Sequence, residues 1–235
     1  ARQERFAATE RWGLVFAWSG ARPELPLPLP ERDGELVAAR PLAFAAPFPW
    51  YMVCGNAFDV QHLRSVHGRE LLAEPEIDDL PGCARRIRYR TRIRAASPAD
   101  RLLRLLAGEE VEVSIAVFGG TLLWVEARFP RAVSRILFGV EPAAEGGSRV
   151  VAVPLAPRPR LAGRLALPLL LALRRLLTRA FVEADLTTLD GVRYDPETLI
   201  PSDRPLAEFL AWAAALPAAD APSPARNPVL RRISP

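Results

Sequence analysis

The sequence predicts an α+β domain, with an antiparallel sheet laid down first and long helices after it. Three observations carry this. Between residues 86 and 155 the apolar side chains recur mainly at every second position, the period of a strand with two unlike faces. Glycine pairs at Gly119-Gly120 and Gly146-Gly147 break that stretch into short runs, as turns between antiparallel strands do. Beyond residue 160 the spacing becomes helical, and a run of strands followed by helices reads as α+β.

Taken in order, Glu10 to Trp18 reads as a strand entered through a glycine. Pro23, Pro26, Pro28 and Pro30 then mark an extended linker. With Ala1 rather than Met at the start, residues 1–35 are expected to be the end of a preceding unit plus this linker. Arg86 to Arg94 alternates, with arginine on one face and Ile87, Tyr89 and Ile93 on the other. That arginine face reads either as a solvated sheet surface or as a positive patch for an acidic electron-transfer partner or anionic substrate. Glu110–Phe118, Thr121–Phe129, Val133–Val140 and Arg149–Leu155 complete a meander of about five strands. Helices are predicted from Leu161 to about Asp190, and from Pro205 to Leu216 with Pro217 as a stop. The main domain is therefore placed at 36–217, and residues 218–235, rich in Ala, Pro and Ser, are expected to form a flexible tail.

Composition narrows the function. Of 235 residues, half are hydrophobic and a quarter charged, which excludes disorder along the whole chain. The net charge is +4, and all 31 basic residues are arginine, so nothing demands a nucleic-acid partner. Cys54 and Cys83 are too few for a disulfide framework or an all-thiolate zinc site, and fit a reducing, cytoplasmic setting. The most apolar run, Leu165 to Leu177, is interrupted by Pro168, Arg174 and Arg175 and falls short of a membrane span. Cys54 reads as a small buried hydrophobe rather than a sulfur ligand.

Both histidines lie in one segment, Asn56-Ala-Phe-Asp59-Val-Gln-His62-Leu-Arg-Ser-Val-His67-Gly68. If Asn56 caps a helix, Asp59 falls at its third position in a capping-box-like start and shares a face with His62. His67 then sits about 140° further round an ideal helix. Convergence on one metal requires the helix to distort or end near Ser65. Two histidines with one carboxylate and open positions form the facial triad of non-haem iron(II) oxygenases.

The pattern Asn56-x2-Asp59-x2-His62-x4-His67-Gly68 resembles the iron motif of Rieske-type oxygenase catalytic subunits, a family of ring-hydroxylating dioxygenases, steroid hydroxylases and O-demethylases. The resemblance implies that His62 and His67 ligate a mononuclear iron. It implies that Asp59, with Asn56 beside it, links this iron to the iron–sulfur domain of a neighbouring subunit. The third ligand is implied at Asp185, in Val182-Glu183-Ala184-Asp185, with Asp190 in reserve and Glu183 facing solvent. Leu186 to Tyr194 and then Pro205 to Trp212 resemble the family's closing strand and helix. The implied fold is a helix-grip, START-like domain, a curved antiparallel sheet around a long C-terminal helix. A Rieske [2Fe–2S] cluster needs two Cys and two His, so it is expected outside this segment, with the Trp12–Trp18 strand as a remnant of its domain.

The activity implied by the resemblance is that of an oxygenase using Fe(II) and O2 to hydroxylate, demethylate or desaturate an apolar, aromatic or steroid-like substrate. A reductase or ferredoxin would donate electrons, and the full-length protein is expected to be a homotrimer. Phe118, Trp124 and Phe138 are the expected aromatic lining of the substrate pocket. Two other readings stand beside it: a helix-grip carrier of hydrophobic ligands with a vestigial metal site, and a zinc hydrolase built on the same three residues.

Overall fold

The computed structural model describes residues 7–18, 35–94, 97–143, 146–160 and 163–216. The proline-rich linker and the tail lie outside the described residues, as does the predicted helix start at Leu161.

The N-terminal segment is a hairpin rather than one strand. β1 (Ala7–Arg11) pairs with β2 (Leu14–Trp18) across Trp12 and Gly13. Both turn residues have positive φ, 51° and 75°, the two-residue turn whose twist matches that of the strands it joins. Among the described residues the main sheet has nine strands. Its centre is the expected meander, β7 (Ala84–Ile93), β8 (Glu110–Phe118), β9 (Leu122–Arg128), β10 (Val133–Pro142) and β11 (Ser148–Pro157), each antiparallel to the next.

Four short strands complete its edges. β3 (Leu36–Ala38) and β4 (Leu42–Ala46) both pair with β11, while β5 (Arg69–Leu71) and β6 (Glu76–Leu80) both pair with β7. α1 (Trp50–Gly55) and α2 (Val60–Ser65) lie between β4 and β5, with a 3-10 turn at Asn56–Phe58 between them. α3 (Pro98–Ala107) separates β7 from β8, started by a Ser97–Asp100 capping box. α4 (Leu167–Leu189) and α5 (Arg204–Ala214) follow the sheet. The strand expected in Leu186–Tyr194 does not form. α4 runs on to Leu189 and is followed by turns.

The arginine face of β7 is a ladder of ion pairs rather than an open positive patch. Arg86 meets Asp78, Arg88 meets Glu76, and Arg92 meets Glu110, at 2.5 to 3.0 Å, while Arg85, one residue out of phase and so on the other face, meets Asp79 at 2.7 Å. The cause is register: the acidic β6 lies antiparallel to β7, with Asp78 opposite Arg86 and Glu76 opposite Arg88. Such half-exposed pairs contribute little to stability each, but they cancel the field that would steer an acidic partner.

The core lies on the other face of the sheet, under α1, α2 and α5. Phe58 and Phe209, both fully buried, stack with ring centroids 4.6 Å apart. Leu206, Phe209, Leu210 and Ala213, at helical spacing, form the buried stripe of α5. A smaller cluster on the opposite face joins Leu137, Val153 and Leu155 to Trp12, Leu14 and Phe16 of the hairpin.

Candidate metal centre

α2 is not capped by Asn56. Asp59 is itself the N-cap, its Oδ1 accepting from the backbone N–H groups of Gln61 at 3.0 Å and His62 at 2.9 Å. Asp59 adopts extended φ/ψ, whereas Asn56 is already in the 3-10 turn and is not free to cap. Asp59 thus holds the main chain that carries His62. The helix ends at Ser65, two residues before His67, and Gly68 turns the chain with φ of 56° into β5. This early stop swings His67 back toward His62.

The two imidazoles meet Asp185, which α4 brings in from far along the chain. His62 Nε2 lies 2.7 Å and His67 Nε2 2.6 Å from the same oxygen, Asp185 Oδ1. One ligating atom from each of the three residues falls within 4.8 Å of the others. Both histidines are buried. Burial pushes the Asp185 carboxyl up, but hydrogen bonds and charge from His62 and His67 outweigh it and hold it below the usual carboxylate range. An ionised carboxylate only accepts, so each Nε2 facing it carries a proton.

These residues suit an intermediate divalent metal. Imidazole nitrogen with carboxylate oxygen is such an ion's donor set, and an ion would replace the two bridging protons. Donors about 2.1 Å from one centre and at right angles would sit about 3 Å apart, so the observed contacts are only slightly tighter than a metal needs. Asp190, held in reserve, is exposed at the end of α4, and Glu183 is exposed and paired with Arg179 at 2.7 Å.

The three ligand candidates stand in the wall of a cavity of about 490 Å³ between the sheet, α3 and α4, lined mainly by apolar side chains. Of the expected aromatics, only Phe138 lines it. Phe118 and Trp124 point to the other side, because alternate residues of a strand face opposite ways. On β8 the cavity takes Val111, Val113 and Ile115, and on β9 Leu123, Val125 and Ala127, leaving Phe118 and Trp124 out of phase. Trp124 stacks instead on Trp12 of the hairpin, centroids 5.9 Å apart. Asn56 does line the cavity, and its side-chain oxygen is buried without a hydrogen-bond partner.

Other residues at the site escape sequence reasoning. Phe181, one turn before Asp185 on α4, stacks on His67 with centroids 3.8 Å apart and planes 5° from parallel. Its spacing of four from Asp185 is the available signal. Arg69, at the cavity wall, pairs with Asp100 at 2.8 Å. Tyr194 buries its hydroxyl without a partner; burial, then the charges of Asp59, Asp185 and Asp203, push its phenol up, so it stays protonated. Cys54, buried as expected, donates to the Gly120 carbonyl at 3.0 Å, and burial pushes its thiol up, away from a reactive thiolate.

No protein-family model matches the chain, and no curated protein does. Solved structures do. Dicamba monooxygenase bound to dicamba aligns with a TM-score of 0.55 at 16% identity, over 87% of this chain and 66% of that one. NdmA of Pseudomonas putida CBB5, a QL mutant with theobromine, aligns at 0.56 and 12% identity, over 89% of this chain and 60% of its own. NdmB of the same strain gives 0.55 and 10%, over 87% and 58%. The chain therefore spans about three-fifths to two-thirds of the length of these structures. Among the described residues no helix is long and apolar enough to cross a membrane. At such identities the likeness establishes the fold: the α+β arrangement of sheet and long helix is shared with these chains over most of the present one.

Proposed function

We propose that this chain is the catalytic domain of a Rieske-type oxygenase, with His62, His67 and Asp185 as the ligands of a mononuclear Fe(II). The observation that carries the reading is their convergence, from positions 123 and 118 residues apart, in the wall of an apolar cavity. Iron bound there supplies O2 activation, with electrons drawn from a [2Fe–2S] cluster outside this segment. The protein's own groups do the rest. The two imidazoles and Asp185 fix the donor geometry, Phe181 sets the plane of His67, and Asp59 anchors the N-terminus of α2. The apolar walls bind and orient an aromatic or steroid-like substrate and exclude water from it.

Hydroxylation, demethylation and desaturation are all open to such a site. The domain is helix-grip in architecture and spans 36–217. In the full-length homotrimer, Asp59 links the site to the neighbouring subunit's cluster, with Asn56 beside it at the cavity wall, and a reductase or ferredoxin supplies electrons.

Anaerobic loading with Fe(II) tests the reading. One iron per chain is expected, lost in His62→Ala and in Asp185→Ala, and the full-length protein with its reductase should oxidise an apolar substrate only when O2 is present. A chain that takes up no iron yet binds apolar ligands would be a hydrophobic-ligand carrier instead, the reading that the size of the cavity favours next. Tight zinc binding with O2-independent hydrolysis would replace both.

A further inference from the structure

Arg174 lies on the cavity face of α4, eleven residues before Asp185, or about 16 Å along the helix axis. It stands three turns from the metal centre, at the opposite end of the same cavity. Its side chain donates from Nη1 to the Leu155 carbonyl at 2.9 Å and from Nη2 to the Val133 carbonyl at 2.8 Å. A guanidinium has five N–H donors. Two are thus engaged, and the buried Nε is without a partner. Among the described residues no carboxylate pairs with it. The charge that acts on it is another cation, Arg135, which shares Glu126 with Arg128 at 2.6 and 2.7 Å. Burial first, and then Arg135, push the Arg174 guanidinium down from its usual range, the mark of a cation short of an anion.

Arg69 also borders the cavity, but Asp100 satisfies it. Among the described residues Arg174 is the cavity cation with no carboxylate partner, with one further N–H on each of Nη1 and Nη2 beyond the two carbonyl bonds, in a wall otherwise built mainly of leucine, valine and phenylalanine. A partly buried charge in such a setting is stabilised by a ligand that brings the opposite one.

We propose that Arg174 is a specificity-determining residue that binds a carboxylate, so that the cavity takes elongated, apolar monocarboxylic acids. The acid group sits at Arg174 and the apolar end reaches His62, His67 and Asp185. This rests on the oxygenase reading for what happens at that far end, but the binding itself does not need the metal. Of an extended body about 12–16 Å long, only the end remote from the acid is presented for oxidation.

The test uses the metal-free chain and two probes of equal length, decanoate and 1-decanol, by isothermal titration calorimetry. Decanoate should bind at least tenfold more tightly than the alcohol. Arg174→Gln should bring the two within twofold by weakening decanoate, while 1-decanol binds as before. The unchanged alcohol also shows that the cavity survives loss of the two carbonyl contacts. Arg174→Lys keeps the charge but not the fork and should retain part of the preference. Equal binding of both probes by the unaltered chain, binding of neither, or a preference that survives Arg174→Gln would overturn the proposal. Iron uptake is measured separately. Loss of iron binding with the acid preference intact would strike the oxygenase reading and leave the carboxylate site standing.

Discussion

Replacing Phe181 by leucine removes an aromatic ring but leaves apolar bulk, and so isolates what the stack on His67 contributes. The ring centroids are 3.8 Å apart and the planes 5° from parallel. A stacked pair of this kind contributes about 0.5–1.5 kcal/mol beyond its buried area. If that energy holds His67 in its ligating orientation, its loss appears in metal affinity, where each 1.4 kcal/mol is about tenfold. Co(II) should therefore bind about two- to tenfold more weakly to Phe181→Leu, read by the intensity of its visible bands under titration. Phe181→Trp, which can still stack, should bind within twofold of the unaltered chain. Phe181 is 41% exposed, so the substitution should lower folding stability by only about 1 kcal/mol, well below the loss for a fully buried ring. If Phe181→Leu lowered the melting temperature while Co(II) affinity stayed unchanged, the ring would be a cover for the cavity rim, and Asp185 alone would orient His67.

Asp59→Ala removes the α2 cap and should lower stability by about 1 kcal/mol, whereas Asp59→Asn, which caps as well, should match the unaltered chain in thermal melts and iron content. On the proposed function, the full-length protein carrying the same Asn variant should turn over far more slowly with its reductase. Normal turnover would remove Asp59 from the electron path. Phe209→Ala empties a fully buried stacked position and should lower stability by about 3–5 kcal/mol in urea unfolding. Burial raises the Asp100 carboxyl, but the Arg69 charge and the Ser97 hydrogen bonds outweigh this and hold it below the usual carboxylate range. A depressed folded value stabilises above the unfolded value of about 4, and the contribution fades as pH falls through the folded one. Asp100→Asn should therefore be about 2–3 kcal/mol less stable at pH 7, and the difference should shrink as the solution is acidified below pH 4.

The parts legible in the sequence are those whose cause is local. The hairpins of the meander follow from period-two alternation and glycine pairs. At Gly120 the requirement is visible twice: φ is 79°, and a Cβ there would come within 2.8 Å of Trp50. β3 and β5, at three residues each, are too short to display a period, and their pairing with β11 and β7 is decided by contacts further along the chain, while β6 folds onto β7 locally, across Pro81–Cys83, and is too short and acidic to show a strand period. The ion-pair ladder on β7 shows the same limit. Alternating arginines are plain in the sequence, but only the registers of β6 and β8 against β7 reveal that Arg86, Arg88 and Arg92 face carboxylates. Aromatic type misleads at Phe118 and Trp124 because side-chain direction on a strand depends on phase, not on chemistry. Their odd-numbered neighbours on β8 and β9 take the cavity. The capping role of Asp59 is hidden because a cap depends on where the helix begins, and the 3-10 turn moves that start three residues on. Asp185 has no spacing to announce it. Only a resemblance to other sequences points there, since a contact closed over more than a hundred residues leaves no local trace.

α4 unites the two ends of the site, and its sequence reflects the constraint. Arg174, Thr178, Phe181 and Asp185 follow steps of four, three and four, so they stand in one line along the cavity. The helix is leucine-rich on both sides, with Leu169 and Leu176 exposed opposite the cavity, so apolar spacing alone does not define which face turns inward. Polar anchors do that instead. Asp185 is tied to two imidazoles and Arg174 to the carbonyls of Val133 and Leu155, and together they fix the rotation of the helix at points three turns apart. A rotation of one residue, about 100°, would break both anchors at once. The groups proposed for metal and for carboxylate thus also contribute to the register of the helix, beside the cavity-facing Leu170, Leu173, Leu177 and Val182.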